Sequence, residues 1–436
     1  MIRKTGVRLS VALLVLAVLA PGGVAQTPTL RTLYAFDGYV NSGDGIEPNS
    51  ALVIGFSGVL YGTTASGGIS NNGTVFALNP PWTPGDPWKE AQIHLFTGGS
   101  DGSEPTALLL GGDGLLYGVT SGGGSGCTTG CGTAFSLRPD TFSPEGPWSK
   151  QTYAFNQDIV LPGTLRSAGG LFYGTSVLGG TSTACDAYFG CGALFALTPP
   201  RAWNQSWNAK VLYSFPNGAG GYRPVTAALG RDGKFYATAE GGNPNCPFGC
   251  GVVVSLTPPG FPWNPPLGTW TETVLHSFID YTYDGDGVAG LVIGDDGTLY
   301  GTTSGGGTYG YGTAFSLTPP ASAGGSWTEK ILYNFNGPSD AAVPNPGLIV
   351  CQGVIYGTSY GILGGGPSAS GAVFSLTPPS DGEGPWTMTL LHSFSGGDDG
   401  GNPTAGVVIG ADGVLYGTTT NGGGTGKFGT VFALKL

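Results

Sequence analysis

Residues 296–303 read D-G-T-L-Y-G-T-T, and this cassette recurs with small variations along the whole chain. Its tyrosine falls at seven positions, which are 56 to 64 residues apart: Tyr61, Tyr117, Tyr173, Tyr236, Tyr300, Tyr356 and Tyr416. Self-similarity at such a period is the signature of a repeat protein, whose units bury their apolar faces against their neighbours. We therefore expect seven copies of one supersecondary unit.

Each copy contains four short apolar runs between turn signals. In the last copy the first three are T-A-G-V-V-I-G at 404–410, V-L-Y-G-T-T at 414–419 and T-V-F-A-L at 430–434. In the other copies a Pro-rich stretch leads to a fourth run, such as T-L-L-H-S-F at 389–394. Runs rich in Val, Leu, Tyr, Phe and Thr and bounded by Gly, Pro, Asp and Asn are typical of strands. Seven units of four antiparallel strands predict an all-β, seven-bladed β-propeller.

The two ends of the chain support the blade count. Residues 31–36 have the sequence of a fourth strand, whereas residues 429–434 have that of a third strand. Pairing them closes the ring and removes an exposed sheet edge. The blades are predicted at about 50–96, 105–155, 163–215, 224–278, 288–335, 345–394, and 403–436 together with 30–36.

The first 25 residues have the pattern of a secretory signal. A basic segment with Arg3, Lys4 and Arg8 precedes an apolar run at 9–20 and a small-x-small site at 23–25. We predict cleavage there, which leaves one propeller domain at 26–436 in the periplasm or outside the cell, with no membrane span. Cleavage takes the net charge from −11 to −14 because it removes three positive charges. An acidic chain is a poor ligand for nucleic acid, which requires clustered Lys and Arg.

The cysteines agree with export. Three pairs occupy the loop between the second and third strands of consecutive blades, and we predict local disulfides between Cys127 and Cys131, Cys185 and Cys191, and Cys246 and Cys250. A zinc site needs four converging ligands, whereas each loop offers two cysteines and no histidine. Cys351 is expected to be a buried free thiol.

Histidines and most tryptophans repeat with the framework. His94, His276 and His392 align with tyrosines of the other fourth strands, so the position favours an aromatic body with a polar tip. This assigns all three histidines to structure and leaves no Ser-His-Asp or Cys-His arrangement, so no catalytic residue is predicted and the sequence favours a protein that is not an enzyme. Blade packing is predicted for six tryptophans that precede the fourth strand: Trp88, Trp148, Trp207, Trp270, Trp327 and Trp386.

Carboxylates gather in the loops that connect the fourth strand of one blade to the first strand of the next. Because strands alternate in direction, these loops share one face of the ring with the Gly-rich second-to-third strand loops. Calcium prefers carboxylate and carbonyl oxygens, and Y-D-G-D-G at 283–287 and G-G-D-D-G-G-N at 396–402 offer them through Asp284, Asp286, Asp398 and Asp399. Ordinary Asp-Gly turns are the alternative. No other cofactor is indicated.

The repeating cassette D-G-x-L-Y-G-T-T-x-x-G-G, followed by G-T-V-F-x-L-T-P-P and by W-T-x-x-L-L-H-S-F, resembles that of the GloVer (Gloeo/Verruco) tandem-repeat family. The resemblance covers about residues 30–436 and implies an exported bacterial repeat protein, but it supplies no catalytic residues. Some family members carry a C-terminal surface anchor. This chain ends directly after its last strand, which favours a soluble secreted form. The glycine pair after the second strand is also distantly similar to kelch repeats, which are propellers.

The leading functional hypothesis is a binding or scaffold module whose loop-rich face binds a polysaccharide or an extracellular protein. The framework strands repeat closely while the second-to-third strand loops diverge, which is typical of binding surfaces on a rigid scaffold. The candidate ligand-binding residues are Asn71, Asn72, Tyr188, Phe189, Phe248, Tyr309, Tyr311, Lys427 and Phe428. A carboxylate-dependent glycoside hydrolase or lyase and a structural surface-coat component are the alternatives.

Overall fold

A computed structural model describes most of the chain. The described residues are 27–38, 43–128, 130–140, 146–182, 184–185, 190–200, 205–242, 250–260, 269–279, 282–322, 324–337, 340–361, 369–380, 382 and 384–436. Their regular structure consists of 30 strands and three single 3₁₀ turns, at Phe56–Gly58, Gly99–Asp101 and Gly218–Gly220. None of these described segments is a helix of the length and apolarity needed to cross a membrane. The predicted signal peptide lies outside the described residues.

The strands form seven antiparallel sheets, which confirms the predicted seven-bladed propeller. Blade 1 contains β2 Gly45–Pro48, β3 Val53–Ile54, β4 Leu60–Gly67, β5 Thr74–Asn79 and β6 Lys89–Leu95. Blade 2 contains β7 Ser103–Leu110, β8 Leu116–Gly122, β9 Thr133–Pro139 and β10 Trp148–Ala154. Blade 3 contains β11 Ile159–Pro162, β12 Arg166–Ala168, β13 Leu171–Gly179, β14 Ala193–Thr198 and β15 Asn208–Ser214. In blades 1 and 3 two short segments together form the first strand of the sheet.

The remaining blades repeat the same order. Blade 4 contains β16 Tyr222–Leu229, β17 Phe235–Glu240, β18 Val252–Thr257 and β19 Thr271–Ser277. Blade 5 contains β20 Asp286–Ile293, β21 Leu299–Gly305, β22 Thr313–Thr318 and β23 Thr328–Asn334. Blade 6 contains β24 Ile349–Cys351, β25 Val354–Ser359, β26 Ala372–Thr377 and β27 Thr387–Ser393. Blade 7 contains β28 Val408–Ile409, β29 Leu415–Thr419, β30 Thr430–Lys435 and, from the other end of the chain, β1 Thr29–Ala35.

The ring closes as predicted. Strand β1 pairs with β30 over six residue pairs from Thr29↔Lys435 to Ala35↔Thr430, so the first strand of the chain is the outer strand of blade 7. This pairing hydrogen-bonds an edge of β30 that an unclosed ring would expose.

The glycine of the cassette makes room for a phenylalanine. In six blades this glycine pairs across the sheet with a phenylalanine of the third strand, for example Gly62 with Phe76 and Gly417 with Phe432. A methyl group on Gly417 would lie 2.5 Å from Phe432 Cζ, which is far inside van der Waals contact. Blade 4 breaks the pattern on both strands together, because Ala237 there faces Val254. The pair is therefore a packing unit in which a methyl group and a large ring exclude each other.

The other cassette residues also have structural partners. The second threonine of the cassette hydrogen-bonds the first residue of the third strand, as in Thr419 Oγ1 to Thr430 Oγ1 at 2.8 Å. The tyrosine hydroxyl donates to the aspartate of the preceding turn, as in Tyr117 to Asp113 Oδ2 at 2.6 Å. The tyrosine ring also contacts the tryptophan of the next blade, with centroids 5.8 Å apart for Tyr236 and Trp327. One short motif thus closes a turn, pairs two strands and joins two blades.

Small residues allow the first strands of neighbouring blades to approach each other at the axis. Gly290 lies directly against the backbone of Pro346, and Gly406 lies against Gly347. A side chain at either glycine would overlap main-chain atoms that cannot rotate away. Crowding where these first strands approach each other therefore selects small residues.

Candidate functional site

One face of the ring carries two sets of loops. The connections from the fourth strand of one blade to the first strand of the next lie on it, together with the Gly-rich loops between second and third strands. The two sets touch, since Gly102 lies against Gly123 and Gly400 lies against Gly422. We call this surface the loop-rich face.

A ring of seven equivalent residues surrounds the axis on the loop-rich face, at or just before the start of each first strand. Six of them have positive φ although they are not glycine: Glu47, Glu104, Leu161, Arg223, Val343 and Asn402, with φ between 48° and 59°. Gly287 is the seventh, with φ of 66°. In the six non-glycine cases proline follows directly. We call these seven residues the mouth ring.

The mouth ring is held by hydrogen bonds between blades. Six of its N–H groups donate to a carbonyl of the preceding blade at 2.6–3.1 Å, including Glu104 to Asn72 and Val343 to Tyr311. The accepting residue always stands immediately before the glycine that opens the third strand. Positive φ costs a non-glycine residue energy, most of all a β-branched one such as Val343. Here the positive φ aims six of the seven N–H groups at the neighbouring blade.

The side chains of the mouth ring differ in chemistry. Glu47 and Glu104 stand on adjacent blades and are exposed. Ser121 Oγ donates to Glu104 Oε2 at 3.1 Å. Arg223 forms a 3.6 Å ion pair with Glu240, and both side chains are about half exposed. The opening is therefore acidic beside blades 1 and 2 and contains a paired cation beside blade 4.

Large apolar side chains are exposed beside the mouth ring. Of the exposed large apolar residues in the described chain, Leu161 belongs to the mouth ring, and those that lie in loops of the loop-rich face are Ile69, Ile279, Tyr283, Tyr309 and Tyr360. Tyr283 is 66% and Tyr309 is 57% exposed. On the opposite face are Phe56, in a turn of blade 1, and the fully exposed Trp82. That face also has a cleft of about 560 Å³ between blades 4 and 5, lined by Asp232, Pro319 and Trp327 among others.

The predicted ligand-binding residues fall into three groups. Asn71, Tyr309 and Lys427 are exposed in loops. Asn72, Tyr311 and Phe428 are partly buried and supply the carbonyls that hold the mouth ring, and the rings of Tyr311 and Phe428 pack against apolar clusters. Tyr188, Phe189 and Phe248 lie outside the described residues. The sequence therefore located a variable surface but did not separate its exposed aromatics from its packed ones.

The cystines occupy the same loop position as these packed aromatics. Disulfides join Cys127 to Cys131 and Cys185 to Cys191. Cys250 is also disulfide-bonded, and its predicted partner Cys246 lies outside the described residues. Cys191 and Cys250 supply mouth-ring carbonyls just as Tyr311 and Phe428 do. A disulfide and a buried aromatic ring are thus alternative ways to fix this loop. Cys351 is free but only half-buried.

A second set of polar groups repeats at the junctions between blades. The histidine or tyrosine near the end of each fourth strand points its polar atom at an aspartate of the following loop in most blades. Tyr34 donates to Asp44 Oδ2 at 3.3 Å, and His392 Nε2 lies 3.1 Å from Asp399 Oδ2. The rings also pack edge-on against the phenylalanine two residues later, as in His392 and Phe394 at 5.0 Å. The predicted aromatic body with a polar tip is confirmed.

The next blade places a variable residue against this pair. This residue belongs to the fourth strand of the next blade, where it pairs with the leucine of that blade's third strand. We call it the facing residue, because it faces the histidine or tyrosine and the aspartate of the preceding blade. In order from blade 7 through blades 1 to 6 the facing residues are Leu30, Glu90, Lys150, Ala209, Glu272, Glu329 and Met388.

At the junction of blades 1 and 2 the facing residue is a cation. Lys150 Nζ lies 2.5 Å from Asp101 Oδ1 and 3.3 Å from His94 Nε2. Burial raises the pKa of Asp101, but hydrogen bonds from His94, Lys150 and the Thr97 N–H outweigh it and hold the pKa below its ordinary value. At this junction the ammonium group of Lys150 balances the charge of the Asp101 carboxylate.

At the junction of blades 4 and 5 the facing residue is an acid. His276 Nε2 lies 3.6 Å from Asp284 Oδ2 and 3.6 Å from Glu329 Oε1. The side chains of His276, Asp284 and Glu329 are 21%, 1% and 14% exposed. Burial raises the pKa of Glu329, the negative charge of Asp284 raises it further, and His276 opposes the rise. Asp284 also accepts the Ile279 N–H at 2.9 Å.

This cluster differs from the predicted calcium sites. Among the described residues, His276, Asp284 and Glu329 are the one set of three His, Cys, Asp or Glu side chains whose ligand atoms lie within 4.8 Å of one another. Asp286 begins β20 and pairs with Gly305 outside this set. Asp399 binds His392, whereas Asp398 is exposed. The sequence found Asp284 but missed Glu329, whose signal was the charge variation at the second residue after each repeated tryptophan.

Two other facing glutamates, Glu90 and Glu272, form no ion pair with a cation among the residues that the structure describes. Burial raises the pKa of Glu90 to about 8, and the charges of Asp44 and Asp37 add to the rise. Burial likewise raises the pKa of Glu272 to about 7, although a hydrogen bond from Tyr213 opposes this. Both belong to outer strands, away from the mouth ring. These carboxyl groups belong to the packing between blades.

Fold and surface together define the class: a disulfide-containing seven-bladed β-propeller with an elaborated loop-rich face. The chain belongs to the Gloeobacter/Verrucomicrobia repeat family, whose sequence profile matches residues 24–254 and 230–436. Among curated protein sequences, none matches this chain.

Several solved propellers are similar in fold. The periplasmic gluconolactonase PpgL of Pseudomonas aeruginosa aligns with 84% of this chain and 97% of its own, at 14% identity and a TM-score of 0.51. The extracellular domain of a one component system from B. thetaiotaomicron aligns with 93% of this chain and 42% of its own, at 10% identity and a TM-score of 0.50. The PQQ-bound aldose sugar dehydrogenase of Streptomyces coelicolor aligns with 94% and 98%, at 14% identity and a TM-score of 0.44. At such identities the likeness concerns the fold alone.

Proposed function

We propose that this protein is an exported binding module that binds a polysaccharide with its loop-rich face. The observation that carries the proposal is the group of exposed apolar and aromatic side chains in the loops of blades 4 to 6, beside the mouth ring: Ile279, Tyr283, Tyr309 and Tyr360. Exposed aromatics on a rigid frame cost little conformational entropy on binding.

The chemistry of this surface favours a sugar chain. Tyrosine rings offer a flat apolar face to the C–H groups of a pyranose and a hydroxyl to its oxygens. Glu47, Glu104 and Asn402 at the mouth ring add hydrogen-bonding groups for sugar hydroxyls. The face has few cations, so it suits a neutral chain better than an anionic one. Disulfides support export because they persist in oxidising compartments.

The test is binding of purified protein to a panel of soluble neutral and acidic polysaccharides, measured by isothermal titration calorimetry. Tyr283→Ala and Tyr309→Ala should each weaken binding of the best glycan about tenfold or more, since loss of a central aromatic anchor costs upward of ~1.4 kcal/mol. Trp82→Ala is the matched control, because it removes an exposed aromatic from the opposite face.

Equal affinity of both tyrosine variants and the parent for that glycan would place the binding surface elsewhere. No binding to any glycan would contradict the polysaccharide proposal, and an extracellular protein ligand would then take its place. Ordered assemblies without a ligand, seen by size-exclusion chromatography with light scattering, would instead favour the coat component.

A carboxylate-dependent glycoside hydrolase or lyase is the second candidate. Its supporting observation is the pair of exposed glutamates, Glu47 and Glu104, on adjacent blades of the mouth ring. Glycoside hydrolysis uses two carboxyl groups across the scissile bond. Release of reducing ends from the bound glycan, abolished in Glu47→Gln and Glu104→Gln, would identify an enzyme. Stable binding without product over days would identify a binding module.

A further inference from the structure

The junction of blades 4 and 5 differs from the junction of blades 1 and 2 in the charge of its facing residue. Blades 1 and 2 meet at a histidine, an aspartate and the ammonium group of Lys150, which lies against both. Blades 4 and 5 keep the histidine and the aspartate but replace the lysine with Glu329. At the junction of blades 4 and 5, Glu329 therefore stands where Lys150 supplies the cation between blades 1 and 2.

We propose that His276, Asp284 and Glu329 bind a divalent cation, with zinc as the occupant, and that this ion occupies the place that the Lys150 ammonium has between blades 1 and 2. The proposal concerns the junction between blades and is independent of the ligand proposed for the loop-rich face.

The distances fit shared coordination better than hydrogen bonding. Two pairs of facing atoms are 3.6 Å apart, which exceeds an N–H···O hydrogen bond. Ligand atoms on a tetrahedral zinc with bonds of ~2.0–2.1 Å are about 3.3 Å apart. Moreover, His276 Nε2 and Glu329 Oε1 are buried atoms for which the described residues provide no hydrogen-bond partner. Unsatisfied buried polar atoms are costly, and one ion bonded to both would satisfy them.

The donor set favours zinc over calcium and magnesium. One imidazole nitrogen and two carboxylate oxygens suit zinc, whereas calcium and magnesium prefer oxygen ligands alone. Two ionised carboxylates carry two negative charges, which a divalent ion would balance. The partial exposure of His276 leaves a route for entry and for a water molecule as the fourth ligand.

Such an ion joins three separate pieces of chain. His276 belongs to the outer strand of blade 4, Asp284 to the loop that follows it, and Glu329 to the outer strand of blade 5. Asp284 Oδ2 accepts the Ile279 N–H, so the ion also fixes the loop that carries the exposed Tyr283. Because the ion would cross-link these pieces of chain, removal of the ion should loosen this loop and lower the melting temperature.

The experiment uses untagged, chelator-treated protein in a Cys351→Ser background, which removes the free thiol as a competing ligand. Zinc is added in equimolar and twofold amounts, excess is removed by dialysis, and bound metal is counted by mass spectrometry. We expect one zinc per chain and a higher melting temperature in the zinc-loaded form, since a ligand of the native state stabilises it by mass action.

The test variants are residues that this fold already uses at the same position. His276→Tyr introduces the tyrosine of blade 5, and Glu329→Lys introduces the lysine of blade 2. Both should fold, and both should lose stoichiometric zinc and the zinc-dependent rise in melting temperature. His392→Tyr is the control, because the His392 junction faces Leu30 rather than an acid. It should retain one zinc.

Cobalt provides a readout that needs no variant. Cobalt(II) in the site should give the visible absorption bands of a tetrahedral nitrogen and oxygen ligand set, displaced by one equivalent of zinc. Absence of zinc from the parent protein would overturn the proposal. Retention of zinc by His276→Tyr and Glu329→Lys would also overturn it.

Discussion

The glycine of the cassette should be intolerant of a methyl group only while phenylalanine faces it. At Gly417 the three nearest atoms to an added methyl group all belong to the ring of Phe432, the closest at 2.5 Å. Because this glycine has an ordinary strand conformation, Gly417→Ala brings no backbone strain, and its cost comes from overpacking alone. We expect it to destabilise by ~1–3 kcal/mol.

Blade 4 shows how the cost can be relieved. There Ala237 faces Val254, so Gly417→Ala with Phe432→Val reproduces a pair that the protein already contains. Phe432→Val alone should cost ~2–4 kcal/mol, somewhat less than the ~3–5 of phenylalanine to alanine. In the double variant the alanine methyl occupies space that the ring vacated. We expect the double variant to be no less stable than Phe432→Val alone. The cost of Gly417→Ala would then disappear in the double variant, which corresponds to a coupling energy of ~1–3 kcal/mol between the two substitutions.

The assay is urea unfolding followed by tryptophan fluorescence for the parent, both single variants and the double variant. Gly112→Ala is the control, because no atom lies within 4 Å of the added methyl and its φ is ordinary. It should be neutral or stabilise by less than ~1 kcal/mol. Costs that add within ~0.5 kcal/mol, or a harmless Gly417→Ala, would refute the packing argument.

Two further predictions concern pH and backbone strain. Burial raises the pKa of Glu272 to about 7 from its ordinary 4.5. Between these two pH values the folded protein keeps a proton on Glu272 that the unfolded chain releases. The contribution of Glu272 to the free energy of unfolding is therefore full below pH 4.5 and is lost as the pH rises through 7. Glu272→Gln should therefore raise the free energy of unfolding by ~1–3 kcal/mol at pH 8, seen as a higher melting temperature, and should not raise it at pH 4. An equal effect at both pH values would refute the claim that Glu272 is protonated in the folded state. Val343 has a φ of 54°, and blade 7 uses an asparagine, Asn402, at the equivalent position. Val343→Asn should therefore relieve backbone strain and raise the free energy of unfolding by ~0.5–1 kcal/mol in urea unfolding. Destabilisation would show that Val343 is unstrained.

The blade number and the ring closure were predictable because both follow from repetition. Each strand carries its own signal of β-branched and aromatic residues, and seven copies of one pattern reinforce one another. The closing strand could be recognised because residues 31–36 have the sequence of a fourth strand and stand before the first blade. The roles of the repeated tryptophans followed for the same reason, as the contact of Trp327 with Tyr236 shows.

The polar junctions were not predictable from the repeat because they join residues of different blades. His276 and Glu329 are 53 residues apart, and the charge variation at the position of Glu329 does not show which residue of the neighbouring blade it contacts. Only the twist of neighbouring blades brings the tip of one fourth strand against the facing residue of the next. The same holds for the mouth ring, since the N–H of Val343 and the carbonyl of Tyr311 belong to different blades and the sequence does not show that they meet.

The candidate binding surface was predictable as a set of loops but not residue by residue. Loop divergence identified Tyr309 and Tyr311 alike. The structure separates them, because Tyr309 is exposed while Tyr311 takes the place that a cystine has in blades 2 to 4. Tyr283 was overlooked because it stands within an Asp-Gly stretch that was interpreted as a metal loop or a turn.

The most direct test of the binding account is to map the contact surface by hydroxyl-radical footprinting with and without the glycan selected in the binding panel. The account predicts that oxidation of Tyr283 and Tyr309 falls when the glycan is bound, while oxidation of Trp82 on the opposite face is unchanged. Protection of Trp82, or of the cleft beside Pro319 and Trp327, with no change at the two tyrosines would contradict it.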